Sequence, residues 1–323
     1  MIVGLDVGTS CMKIAVGKCG EKGRLNLIGS HTVAARGIVQ GEVADHAAAS
    51  ACILQALQET ENVFKMEIGE VELAVTGGHI ESSNRHGTAR IRDATHVINK
   101  EDVRNALDDA HPKELEKPGA FVLHAIPQQF RVDGKVVRNP VGLSGSELEV
   151  DAHCIYGLSD RLQKTINCLS ANSRVYVRVN NRLFSGLVSA LAVLSEDDKD
   201  QGVIVLDVGA GTTEYVFYTR GVIQQSGVLM MNGEGGISDM SKLLRIIHAR
   251  IGARKLECLA GRGVFLTGGC ARRPDLMELT RSIFGIPVRV AVPQGFDGPL
   301  EHLAQPEMST VIGLIKYRVG SKA

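Results

Sequence analysis

The stretch Leu5-Asp6-Val7-Gly8 occurs a second time, unchanged, as Leu206-Asp207-Val208-Gly209. Each copy follows an apolar run, leads into Thr, Ser or Gly residues, and is followed by a second apolar run. Each copy therefore predicts a strand, an Asp-x-Gly turn and a returning strand. One such turn is typical of any hairpin, but two with matching flanks indicate a duplicated lobe that binds a nucleotide.

The chemistry of the repeat points to a phosphate chain held between two lobes. Glycine allows backbone conformations in which several N–H groups converge on an anion. A carboxylate directly before each turn repels phosphate unless a cation lies between them. Asp6 and Asp207 therefore predict a Mg²⁺ ion that keeps part of its water shell.

Composition limits the class of protein. The 323 residues are enough for about two domains, and 36 basic residues balance 36 acidic ones, so the overall charge favours neither nucleic acid nor anionic lipid. The absence of Trp and an aromatic content of 4% argue against a stacking surface for single-stranded nucleic acid. Seven scattered cysteines without metal-ligand spacing indicate a reduced, cytoplasmic protein. We expect no signal peptide and no membrane-spanning segment.

The pattern along the chain predicts an α/β protein of two duplicated lobes with an α+β module inserted in the first lobe. We expect residues 1–78 and 157–196 to form the first lobe and residues 79–156 the inserted module. We expect residues 197–323 to form the second lobe, with a reduced subdomain at about 236–262.

Several local elements follow from periodicity and turn signals. The prediction comprises a helix over 45–64, a strand over 71–76, a polar segment over 79–92, a strand over 175–179, a buried interlobe helix over 183–194, an acidic surface link over 195–198, a glycine-rich turn over 233–236 and a helix over 307–317.

The two Asp-x-Gly hairpins, with a strand that ends in Thr267-Gly268-Gly269, resemble the actin-like ATPase superfamily, which has a ribonuclease H-like fold. The resemblance implies that Asp6–Lys13 is a first phosphate loop, Asp207–Thr213 a second, and Thr267–Ala271 an adenosine motif. The phosphate-binding residues it implies are Gly8, Thr9, Ser10, Lys13, Gly209, Ala210, Gly211, Thr212, Thr213, Thr267, Gly268 and Gly269. Asp207 is also the candidate catalytic base, although holding the metal's water shell is its main expected role.

The inserted module narrows the resemblance. His124–Gly134, which contains Ile126-Pro127-Gln128, and Arg138–Gly145 look like the module that characterises FtsA, the bacterial actin-like cell-division protein. The resemblance implies ATP and Mg²⁺ as cofactors, self-association into oligomers or filaments, and contacts with FtsZ and with other division proteins through residues 79–156. It also implies a cytoplasmic protein at the inner face of the membrane at the division site.

Three features leave alternatives open. The short stretch between Gly236 and Gly263 lacks room for the subdomain that covers adenine and offers the FtsZ-binding surface in FtsA proteins, so direct FtsZ contact is in question. No basic amphipathic helix is expected at the end, so no autonomous membrane anchor is expected. The segment Phe184-Ser185-Gly186 supplies no carboxylate or amide to place a water, so we expect ATP binding with weak or absent hydrolysis. The alternatives are an actin-fold small-molecule kinase or activating ATPase, and a docking protein that has lost nucleotide binding.

Overall fold

The computed structural model describes residues 1–20, 23–92, 96–111, 119–170, 177–231, 237–252, 256 and 262–321. The strands are β1 (Ile2–Val7), β2 (Cys11–Cys19), β3 (Leu25–Ala34), β4 (Ile38–Val39), β5 (Glu42–Val43), β6 (Glu70–Val75), β7 (Glu81–Arg90), β8 (Ala120–Val132), β9 (Lys135–Val137), β10 (Glu147–Leu158), β11 (Arg178–Phe184), β12 (Val203–Val208), β13 (Thr212–Thr219), β14 (Val222–Met230), β15 (Val264–Thr267), β16 (Val288–Val290) and β17 (Phe296–Asp297). The helices are His46–Phe64, Lys100–Asp109, Ser159–Leu169, Ser185–Val193, Glu196–Gln201, Ile237–Ile251, Pro274–Phe284, Leu300–Leu303 and Ser309–Gly320, with a 3₁₀ turn at Pro306–Met308.

Two sheets repeat one topology. The first has the order β11-β6-β1-β2-β3-β17 and the second has the order β14-β13-β12-β15-β16. In both, an antiparallel meander of three strands is extended by two parallel strands on the side of its first strand. The expected duplication of the lobe is therefore present in the strand order as well as in the sequence.

The residues around 79–156 form a separate four-stranded sheet of order β7-β10-β8-β9, with the Lys100–Asp109 helix packed on β7 and β10. Its own core includes Ala106, Leu148 and Val150. The segment predicted as merely polar contains strand β7. Apolar alternation is weak there because β7 lies at the sheet edge, where most of its side chains are at least partly exposed.

The helix Ser185–Val193, called here the interlobe helix, packs between the sheets and against the Ser309–Gly320 helix, called here the C-terminal helix. The two helices meet at Gly313, where an added Cβ would overlap the carbonyl oxygen of Val188. The interlobe helix starts two residues later than predicted because Leu183 and Phe184 still pair with β6. The predicted strand at 175–179 is β11; residues 175 and 176 lie outside the described part of the chain.

Two other segments differ from expectation. The acidic surface link begins the short Glu196–Gln201 helix, in which Ser195 and Asp198 form a reciprocal capping box. The sequence pattern predicts that the end of the chain belongs to the second lobe, yet β17 pairs with β3 and the C-terminal helix packs on β1 and β2. The reason is apolar burial: Val311, Ile312 and Ile315 join the first-lobe core. The glycine-rich turn at 233–236 lies outside the described residues.

Candidate functional site

A cleft of about 540 Å³ lies between the two sheets. It contains twelve of the fourteen site residues predicted from the sequence, namely Asp6, Gly8, Thr9, Ser10, Lys13, Asp207, Gly209, Ala210, Gly211, Thr212, Gly268 and Gly269. Thr213 and Thr267 do not line it, because both are fully buried behind the wall. The hydroxyl of Thr267 instead donates to the Pro306 carbonyl at 3.0 Å.

The two hairpin turns face each other across this cleft. Thr9 of the first turn lies against Gly211 of the second. The Thr9 hydroxyl accepts a hydrogen bond from the Gly41 N–H at 3.0 Å, and Gln40 donates to the Met231 carbonyl of the second lobe at 2.9 Å. Both glycine-containing turns are thus held at one place, where their backbones can surround an anion.

The third wall of the cleft comes from the segment after β15. Gly268 has a φ of +88°, and a Cβ at this position would overlap Oδ1 of Asp207. Only glycine can therefore bring this backbone past the carboxylate. Gly268 and Gly269 consequently border the same cleft as both hairpins.

Asp6 and Lys13 form the charged pair of the first hairpin. They lie directly opposite each other on β1 and β2, and Lys13 Nζ is 3.4 Å from Asp6 Oδ2. Burial opposes the charge of Lys13, but nearby Asp6, Cys11 and Asp207 outweigh it and raise the pKa of its ammonium. Lys13 therefore stays positive, which is what binding a phosphate group would require of it.

Asp207 is held by two hydroxyl groups. Its Oδ2 accepts hydrogen bonds from Ser189 of the interlobe helix and from Thr310 of the C-terminal helix, the latter at 3.1 Å. Burial and the neighbouring charge of Asp6 raise the pKa of the Asp207 carboxyl. These contacts fix the carboxylate at the junction of both helices, which suits a positioning role toward a metal.

The donor set fits Mg²⁺ bound partly through water. Asp6, Asp207 and Glu214 place carboxyl groups on the cleft. Among the residues the structure describes, no group of three or more His, Cys, Asp or Glu is arranged to hold a metal alone. Mg²⁺ commonly binds through one or two carboxylates, phosphate oxygens and retained waters. Asp6 and Asp207 would hold it by that means.

Sequence reasoning missed Glu214. This residue lies on the cleft, is only 4% exposed, and accepts a hydrogen bond from Thr76 of the first lobe. It stands directly opposite Asp207 on the second hairpin. Burial and the charge of Asp207 raise the pKa of Glu214 to about 8, so its carboxyl is mostly neutral at pH 7.

The internal repeat carried a signal for Glu214. Lys13 follows Asp6 by seven positions and pairs with it across the hairpin, and Glu214 stands in the same relation to Asp207. When the repeat is extended past its four identical residues, it predicts that Glu214 lies on the cleft, as Lys13 does.

The wild type is expected to become less stable as the pH rises, and changing Glu214 to Gln is expected to abolish this pH dependence. The folded protein retains a proton that an unfolded glutamate releases near pH 4.5, so the free energy of unfolding should fall from about pH 4.5 to about 8. At pH 8, Glu214→Gln should melt several degrees above the wild type, with little difference at pH 4.5. Thermal melts across this range measure the effect. The exposed Glu278→Gln is the matched control, and parallel curves for wild type and Glu214→Gln would contradict the assignment.

The inserted module touches both lobes. On the second lobe, Ser82 donates to the Ser226 carbonyl at 2.7 Å, and His153 Nε2 lies 2.8 Å from the Ser226 hydroxyl. On the first lobe, His124 Nε2 accepts from the Phe184 N–H at 3.0 Å, directly before the interlobe helix. Burial lowers the pKa of both histidines to about 4, so each ring is neutral.

In the described part of the chain, every helix is too short or too polar to cross a lipid bilayer.

Comparison with known proteins supports the resemblance in sequence. Residues 77–156 match the SHS2 domain inserted in FtsA. The chain is 27% identical to the cell division protein FtsA of Pseudomonas aeruginosa over 98% of its length and 89% of the relative's. The corresponding protein of Escherichia coli is 26% identical over 98% of this chain and 90% of its own. The alignment with the Pseudomonas aeruginosa protein extends over 379 positions, whereas this chain has 323 residues. The Pseudomonas aeruginosa protein therefore has internal residues that this chain lacks.

Solved structures support the fold. A chain of the PilM–PilN type IV pilus biogenesis complex superposes with a TM-score of 0.65 at 16% identity, covering 98% of both chains. The ethanolamine utilization protein EutJ from Carboxydothermus hydrogenoformans gives 0.52 at 13% identity, covering 98% of this chain and 89% of its own. The predicted fold class and resemblance are confirmed: the chain has an actin-like fold, contains the SHS2 domain inserted in FtsA, and is similar to FtsA proteins over nearly its whole length.

Proposed function

We propose that the chain is an ATP-binding cell-division protein of the FtsA type that self-associates and recruits other division proteins through residues 79–156. The observation that carries this proposal is one cleft with two facing phosphate hairpins, in a chain that also contains the inserted SHS2 domain. Its similarity to FtsA proteins supports the division role.

ATP with Mg²⁺ is the proposed ligand of the cleft. Two glycine-containing turns, the positive Lys13 and the carboxylates of Asp6 and Asp207 provide backbone donors, one cation and a place for a second. A bound Mg²⁺ would neutralise phosphate charge. The roles of the fourteen predicted residues remain part of this proposal.

Hydrolysis is proposed to be slow. A general base must be unprotonated to take a proton from water. The raised pKa of Glu214, near 8, leaves it mostly protonated at pH 7, and Asp207 is engaged with Ser189 and Thr310. The protein would then change slowly from its ATP-bound to its ADP-bound state, and the bound nucleotide would act as a slow switch.

The inserted module is proposed as the docking surface for partners. It forms hydrogen bonds with Ser226 of the second lobe and with the Phe184 N–H, directly before the interlobe helix. The contact at Phe184 directly precedes Ser185, which lines the cleft, so a partner on the module could sense the nucleotide through the interlobe helix. We further propose the domain division given above, with the segment from Phe296 onward added to the first lobe, and a site of action at the inner face of the membrane. Direct FtsZ contact is proposed through surfaces other than the reduced subdomain.

Sedimentation with nucleotide tests the assembly proposal. With Mg²⁺–ATP the purified chain is expected to form pelletable polymers, and with ADP or without nucleotide to remain mainly in the supernatant. Phosphate release in the same samples should be slow, and added FtsZ should enter the pellet only with the chain. The absence of polymers in every nucleotide state would contradict self-association. ATP consumption that depends on an added sugar or acyl substrate would favour the kinase alternative.

A further inference from the structure

The N-terminal end of the interlobe helix borders the nucleotide cleft. The helix begins at Ser185, which lines the cleft, and in the described part of the chain no side chain caps this end. The first N–H groups of a helix have no partner within it, and the helix dipole makes this end partially positive. His124 accepts from the preceding Phe184 N–H and so fixes the direction from which the chain enters the helix.

The side chain of Ser185 distinguishes this end of the helix from an ordinary helix terminus. This side chain is buried, with the residue only 5% exposed, and its hydroxyl has no hydrogen-bond partner among the residues that the structure describes. A buried hydroxyl without a partner is costly, and most native ones are satisfied. The missing partner is therefore expected to be a ligand of the cleft.

The surrounding charges restrict what that ligand can be. Glu214 adjoins the second residue of the helix, Gly186. Asp207 lies on the same cleft, and the ammonium group of Lys13, 3.4 Å from Asp6, supplies a positive charge there. Because the helix N-terminus is partially positive and Lys13 lies on the same cleft, the ligand that meets the Ser185 hydroxyl is expected to be an anion.

We infer that the Ser185 hydroxyl and the N-terminal amides of the interlobe helix form a subsite for the terminal phosphoryl group of a nucleoside triphosphate. This inference rests on the proposed function, and it adds a reason for preferring ATP to ADP. The facing hairpins hold the inner phosphates, and the helix end takes only the group that ADP lacks. A free orthophosphate has the same chemistry and is the other possible source of this anion.

Calorimetric titration of the wild type and of Ser185→Ala with Mg²⁺–ATP and Mg²⁺–ADP tests the subsite. Ser185→Ala should weaken ATP binding about tenfold to 100-fold, the effect of one hydrogen bond to a charged group, and should change ADP binding less than about twofold. Ser185→Thr, which keeps the hydroxyl, should recover most of the ATP affinity. Ser189→Ala, which removes a donor to Asp207 on the same helix, should weaken both nucleotides alike.

The other outcomes overturn the inference. An equal loss for ATP and ADP, or no loss for either, would show that Ser185 does not distinguish the terminal phosphate. If Ser185→Ala weakens only the binding of orthophosphate to the ADP-loaded protein, the site belongs to free phosphate. Failure of the wild type to bind either nucleotide would refute the proposed function as well. Thermal melts exclude misfolding, since removing an unpaired hydroxyl should leave the melting temperature unchanged or higher.

Discussion

Replacing Gly313 by alanine is expected to destabilise the protein by on the order of 3 kcal/mol. The added methyl group would overlap the carbonyl oxygen of Val188, so the C-terminal helix and the interlobe helix would have to separate. Alanine favours helix over glycine by only about 1 kcal/mol, which the clash exceeds. Ser189 and Thr310, the two residues that hold Asp207, lie on these helices, so the cleft should lose affinity too.

Urea unfolding followed by circular dichroism measures this effect. Gly320→Ala is the matched control, because Gly320 lies in the same helix and an added Cβ there meets no described residue within 4 Å. That variant should be as stable as the wild type or slightly more so. Equal stability of the Gly313 and Gly320 variants would show that the two helices do not meet as described.

Lys13→Met is expected to weaken Mg²⁺–ATP binding by on the order of 100-fold. Methionine keeps the length of the buried side chain but removes the positive charge, leaving Asp6 and Asp207 to face the phosphates without it. The effect should be larger for ATP than for ADP, because ATP carries the greater negative charge.

Lys18→Met is the matched control for this variant. Lys18 lies on the same strand, β2, but is exposed, and its replacement should leave nucleotide affinity unchanged. Thermal melts must accompany both titrations, since loss of Lys13 also leaves like charges together. Nucleotide affinity equal to that of the wild type would remove Lys13 from the phosphate site.

The sequence was most informative where the pattern is local. The two hairpins were predictable because Asp6 and Asp207 stand in identical surroundings. The helix at His46–Phe64 was predictable because its apolar residues keep a helical period and Asp45 caps its first turn. The inserted module was recognisable from short motifs, although its strand β7 was not, since an edge strand lacks regular apolar alternation.

What escaped prediction depends on long-range packing. The pairing of β17 with β3 joins residues that are far apart in the sequence, and no local signal marks it. Thr213 and Thr267 belong to the expected motifs but point into the core, because neighbouring positions on a strand face opposite sides. The role proposed for Ser185 could not be inferred from its residue type, because it depends on a buried hydroxyl that meets no partner among the described residues.

Titration of the wild type with Mg²⁺–ATP, repeated with Asp207→Ala and with EDTA in place of Mg²⁺, tests the central claim most directly. One site of micromolar affinity is predicted for the wild type, with strong weakening by the mutation and by removal of the metal. A folded wild-type protein that gives no binding heat with ATP at several temperatures would contradict a nucleotide site between the two hairpins.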